Sequence, residues 1–112
     1  MSHPIDGILV VDKPDGMTSH DVVATVRRRL PPGTKVGHTG TLDPFATGVL
    51  PIVIGKGTRL SQFLTAGRKR YVATVTFGTA TDTGDRLGAV VARAEPASLA
   101  ALDARTVASA LE

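Results

Sequence analysis

The sequence predicts an α+β fold, a mixed and mainly antiparallel sheet carrying short helices, and three observations predict it. Short apolar runs bounded by Gly and Pro clusters recur at 7–12, 49–54 and 89–92, as strands entering turns do. Residues 71–77 alternate, with Tyr71, Ala73, Val75 and Phe77 on one side and Val72, Thr74 and Thr76 on the other, the period of a half-buried strand. One stretch has helical spacing instead: Val22, Val23, Val26 and Leu30 form a single apolar stripe. At 112 residues the chain makes one domain or part of one.

Taken in order, Gly7-Ile8-Leu9-Val10-Val11-Asp12 reads as a buried strand closed by the turn Lys13-Pro14-Asp15-Gly16. A helix follows. Thr18 or Ser19 can cap it and Asp21 falls in its first turn. Arg27-Arg28-Arg29 occupies the end where the helix dipole favours cations, before Pro31-Pro32-Gly33 stops it. Val49 to Ile54 reads as a strand with Pro51 near its start or on a sheet edge, because proline cannot donate to a ladder. Gly55-Lys56-Gly57-Thr58 leads into a short helix with Leu60, Phe63 and Leu64 as its apolar positions. After the strand at 71–77, a turn-rich connection over 78–88 precedes the strand at 89–92. The alanine-rich tail from Pro96 predicts a helix capped by Asp103 that runs toward Glu112, with a narrow apolar face. No internal repeat is present.

Composition narrows the function. Hydrophobic residues make up 42% and charged residues 21%, the balance of a globular chain rather than a disordered one. There is no cysteine, which excludes disulfides, thiolate metal sites and cysteine nucleophiles. Met1 to Asp6 lacks the charged and apolar regions of a secretory leader, and no apolar run nears the ~20 residues of a membrane span, so a cytoplasmic protein is expected. Charge is uneven: residues 1–71 carry ten Lys/Arg against five Asp, and the remainder three against five acids. The dense clusters are Arg27 to Arg29 and Arg68-Lys69-Arg70. Each fits a solvated element end, and together they suit a polyanion such as RNA.

The stretch from Gly37 to Leu50, Gly-His-Thr-Gly-Thr-Leu-Asp-Pro-Phe-Ala-Thr-Gly-Val-Leu, sets one carboxylate among glycines, hydroxyls and a histidine. Asp43 precedes Pro44 and is therefore biased toward extended backbone, projecting from a loop or strand end. Gly37, Gly40 and Gly48 permit close backbone approach, and Thr39, Thr41 and Thr47 offer hydrogen bonds. Local chemistry alone fits a functional site and a Thr/Gly-rich turn equally. Other motifs carry less. Gly55-Lys56 is followed by Gly57 and lacks the upstream glycine of a Walker loop, which excludes that form of nucleotide binding. Ser19-His20-Asp21 contains triad residue types, but sequence neighbours cannot converge as a relay, and it reads as a helix start. His3, His20 and His38 show no metal-ligand spacing, and Asp82-Thr83-Gly84-Asp85 lacks the acidic density of a calcium loop, so no metal is expected. Tyr71, the single tyrosine, follows the second basic cluster. It fits a core residue with its hydroxyl at the surface, or a ring stacking on one unstacked base while the cations hold phosphates.

Together these segments resemble the TruB-type tRNA pseudouridine synthases. The resemblance rests on Gly7 to Pro14 with Gly16 to Val23, on Lys35 to Leu60, and on Lys69-Arg70-Tyr71 with Gly78 to Asp85, in the family's order and spacing. It implies that the sheet is part of the pseudouridine synthase fold and that residues 1–112 are the N-terminal portion of its catalytic domain. It also implies a cofactor-free isomerisation of a uridine at position 55, in the TΨC loop of tRNA, with Asp43 as the catalytic carboxylate. Tyr71 would stack on the flipped base, and His38 would hold the RNA loop open. Lys13, Pro14 and Gly16 would support the catalytic loop from beneath. Gly40 and Thr41 in the motif and Arg70 beside the tyrosine complete the implied substrate- and RNA-binding set. The implied partner is the TΨC arm of tRNA, with a monomeric full-length enzyme, no metal and no membrane.

Family chains continue further and supply an arginine facing the aspartate, the rest of the sheet and usually a C-terminal RNA-binding domain. Weak or absent activity is therefore expected of this chain alone. Two other readings compete: a catalytically silent RNA-binding module, and a fragment that neither folds stably nor binds RNA.

Overall fold

Strand β3 (Gly48–Ile54) is the centre of the first half of the molecule, because it is paired on both sides and its inward residues Leu50, Ile52 and Ile54 belong to the buried core. In the computed structural model, which describes residues 4–112, β1 (Gly7–Lys13) and β2 (Val36–His38) flank it in the order β1-β3-β2. Both pairings are antiparallel, with Gly7 opposite Ile54, Lys13 opposite Gly48 and His38 opposite Ile52. Helix α1 (Ser19–Arg28) contributes Val22 and Val23 to a core completed by Val36, Leu50, Ile52 and Ile54. Leu50 and Ile52 are fully buried, and each contributes about 1.5–3 kcal/mol by leaving water.

Thr18 is the cap of α1. Its hydroxyl accepts from the Asp21 N–H at 2.9 Å while the Asp21 carboxylate accepts from the Thr18 N–H at 3.0 Å, a reciprocal capping box. Arg27 and Arg28 fall in the last turn, as the dipole favours. Beyond β3, a 3-10 helix (Gly55–Leu60) passes into α2 (Ser61–Ala66).

Two expectations need correction here. The run at 7–12 is an edge strand rather than a buried one: Ile8, Val10 and, opposite Asp12, Val49 lie on the sheet face away from α1 and are 44%, 64% and 70% exposed. Pro51 sits within the central strand, neither near a sheet edge nor confined to the strand's start. Its carbonyl accepts from the Thr39 N–H at 3.1 Å, so its nitrogen also faces the β2 side, just past the last β2 pair at His38–Ile52. The missing N–H therefore costs no bond to β1.

The chain divides into two compact units, Met1–Lys69 and Arg70–Glu112. The second contains the hairpin β4 (Thr79–Thr81) and β5 (Val90–Arg93), paired antiparallel, then α3 (Pro96–Ala100) and α4 (Ala104–Ala110). Its connecting turn is held by side chains: Asp82 accepts from the Ala89 N–H at 2.9 Å, and Asp85 accepts from the Thr83 hydroxyl at 2.8 Å and the Leu87 N–H at 2.9 Å. The Thr83 hydroxyl and then the Leu87 N–H hold the Asp85 carboxyl below its ordinary range. Asp103 caps α4 through the Thr106 N–H at 2.7 Å, as its sequence position predicts.

The alternating segment 71–77 is not a strand. No ladder forms along it, and every residue from Tyr71 to Phe77 is exposed. Alternation specifies which side chains share a face, but a strand also needs a hydrogen-bonded neighbour, and none of the described strands supplies one. The leader reading at Met1 to Asp6 and the reading of His3 involve residues 1–3, which lie outside the described residues.

Candidate active site

The site is built where β1 ends beneath the loop that joins β2 to β3. Lys13 is the last residue of β1, and its place in the register puts it on the core face, where it is fully buried. A lysine is rarely buried unless its three donors are used. Here Nζ donates to the carbonyl oxygens of Pro14 at 2.9 Å, of Met17, and of Pro44 at 3.0 Å. The Gly16 N–H donates to the same Pro44 oxygen at 2.7 Å, from a turn in which Gly16 has φ +94° and needs to be glycine.

On the other side of Asp43, Ser19 holds Leu42 by both backbone groups. The Leu42 N–H donates to Ser19 Oγ at 2.9 Å, and Oγ donates to the Leu42 carbonyl at 3.3 Å. Ser19 is buried in the first turn of α1, so the helix that covers the core also carries one clamp of the loop. The Asp43 carbonyl accepts from the Ala46 N–H at 2.9 Å and closes the turn after it. The backbone is thus tied down immediately before and immediately after Asp43, while its side chain is exposed. Among the described residues, no hydrogen bond or ion pair engages that carboxylate.

His38, at the end of β2, is half-buried, and its Nδ1 is out of solvent with no hydrogen-bond partner among the described residues. Gly40 has φ +77°, and a Cβ built there would lie 3.1 Å from Lys69 Nζ, which brings that ammonium against the loop. Thr41 is exposed next to it. Arg70 and Tyr71 begin the second unit; both are exposed, and Tyr71 at 66% is not the core residue that local sequence allows.

Sequence reasoning missed one residue and one contact. Ser19 left a signal: it falls three and four positions before Val22 and Val23, on the buried stripe, where a hydroxyl requires a partner. Lys69 was visible as part of the second basic cluster, but its contact with Gly40 left no signal, since it joins positions far apart in the chain. Chemically, an exposed carboxylate on a braced loop can attack an electrophilic carbon or remove a proton. Among the described residues, no three His, Asp or Glu side chains gather as a metal site, and no helix is long and apolar enough to cross a membrane.

Comparison with known proteins places this chain in a family. Residues 27–112 match the family model described as TruB family pseudouridylate synthase (N terminal domain). A protein of Symbiobacterium thermophilum named tRNA pseudouridine synthase B is 55% identical over 96 residues, which is 85% of this chain and 31% of the relative. Proteins of the same name from Geobacter sulfurreducens and Leifsonia xyli are 58% and 50% identical over 87 and 105 residues, covering 78% and 94% of this chain but 28% and 34% of the relatives. The chain belongs to the TruB family of pseudouridylate synthases. It spans about a third of the length of the curated relatives it matches.

Proposed function

We propose that this chain forms the catalytic-loop portion of an enzyme that converts a uridine at position 55, in the TΨC loop of tRNA, to pseudouridine. The observation that carries the reading is the bracing of Asp43: Ser19 fixes Leu42, Lys13 and Gly16 fix Pro44, and the carboxylate between them faces solvent. A group held in this way can meet a ribose without reorganising, which is where positioned carboxylates gain rate. The relatives' printed names, tRNA pseudouridine synthase B, support tRNA as the substrate.

In this reading the target nucleotide leaves its stack and the Tyr71 ring covers the base. His38 and Thr41 contact the opened RNA loop, Gly40 lets the backbone approach it, and Arg70 holds a phosphate. Asp43 acts on the ribose, either attacking C1′ or removing the C2′ proton. Both routes break the N1–C1′ bond, turn the uracil and form C5–C1′; the proton at C5 is lost and N1 is protonated, so the product is an isomer. Isolated, the chain turns over weakly or not at all, because no ion pair among the described residues engages Asp43.

Joining the chain to the remaining two thirds of the Leifsonia xyli relative tests this. Carbodiimide mapping of an unmodified tRNA transcript is expected to show one new pseudouridine, in the TΨC loop. A pseudouridine elsewhere, with the TΨC loop unmodified, contradicts the proposal.

A further inference from the structure

The first unit is polarised along its sheet. Four of its acids, Asp12, Asp15, Asp21 and Asp43, lie at or beside the end where β1 meets the catalytic loop. The opposite end, marked by Gly7, Val36 and Ile54 in register, gathers six exposed cations: Arg27, Arg28, Arg29, Lys35, Lys56 and Arg59. Arg27 is tied to this end by its bond to the Val36 carbonyl at 3.2 Å, and Lys35 by its carbonyl, which accepts from the Gly55 N–H at 2.8 Å. The acid here, Asp6, uses Oδ1 to accept from the Lys56 N–H at 2.7 Å.

Lys35, Lys56 and Arg59 line an open cleft of about 540 Å³, whose floor includes Pro31, Gly33 and Gly55. Six residues of β1, Gly7 to Asp12, separate it from Lys13, which at about 3.3 Å per residue puts it roughly 20 Å from the Asp43 loop. No aromatic side chain lines it, so it offers neither the anchor of a typical protein interface nor a platform for base stacking. Long cations around glycine and proline backbone are suited to phosphates.

Resting on the tRNA reading above, we propose that this end of the sheet is a second RNA contact, which binds backbone phosphates about 20 Å from the target base and sets the orientation in which the RNA meets Asp43. The contact is independent of sequence and sensitive to salt.

The test measures binding of an unmodified tRNA transcript to the 112-residue chain across a salt series, for the wild type and for the triple variant Lys35→Gln, Lys56→Gln, Arg59→Gln. Losing up to three phosphate contacts is expected to lower the slope of log K against log salt by about 2–3 and to weaken binding at least ~10-fold at low salt. The exchange Lys35→Arg, Lys56→Arg, Arg59→Lys keeps the charges and is expected to restore both, which separates lost charge from lost folding. Wild-type slope and affinity in the Gln variant overturn this inference and leave the catalytic reading standing. Equal displacement of the transcript by polyglutamate overturns the phosphate assignment in favour of an acidic protein partner. If the wild-type chain binds no tRNA, this inference is overturned, while the catalytic reading stands or falls on the completed enzyme.

Discussion

The Lys13 ammonium lies 3.0 Å from the carbonyl oxygen of Pro44, the residue that follows the exposed carboxylate of Asp43. A strand end and a loop 31 positions later are thereby joined through a buried cation whose remaining donors are used on Pro14 and Met17. Lys13→Met keeps the aliphatic stem but leaves those carbonyls without their donor. The expected cost is about 2–5 kcal/mol of stability, and, on the proposed function, a larger proportional loss of pseudouridine formation in the enzyme completed with a relative's remaining segment, because the loop loses one clamp. Urea unfolding of the chain measures the first; an unchanged midpoint contradicts the account of the loop.

The capping box of α1 predicts an acid dependence. The Thr18 N–H, and after it the Thr18 hydroxyl, hold the Asp21 carboxyl below its ordinary value of 3.8. A carboxylate lowered in the folded state contributes stability that is present above the unfolded value and lost as pH falls through the folded one. Unfolding measured from about pH 5 to pH 2 is expected to show this loss in the wild type and less of it in Asp21→Asn. Identical acid limbs would contradict the reading of the cap.

Much of this framework was legible because it depends on neighbours in sequence. Thr18, Asp21 and the arginines at the end of α1 announce a capped helix, and Asp103 announces another. What failed depends on partners that a local pattern cannot name. Tyr71 to Phe77 alternates as a strand does and yet has no ladder, and Pro51 is tolerated centrally because β2 stops one residue short of needing its N–H. The loop around Asp43 stood out by composition and by family resemblance. That Ser19 would hold Leu42 required α1 to be packed against the loop, a tertiary fact with only a faint trace in the helix stripe.

Tyr71 separates stacking from folding. Its ring is 66% exposed, so Tyr71→Ala is expected to move the unfolding midpoint little, within about 0.5 kcal/mol. In the enzyme completed with a relative's remaining segment, Tyr71→Phe is expected to retain RNA affinity and Tyr71→Ala to lose about 1–3 kcal/mol of it, the value of one base–aromatic stack. Equal affinities for the Phe and Ala variants in a filter-binding titration would rule out stacking.

The most direct measurement is tritium release from a TΨC stem-loop labelled at C5 of uridine, comparing the completed enzyme with its Asp43→Asn variant. The substitution keeps the size of the side chain and the backbone clamps at Leu42 and Pro44, and removes only the charge. Abolished release with unchanged RNA binding is the predicted result. Equal release from the wild type and the variant would contradict the role given to Asp43.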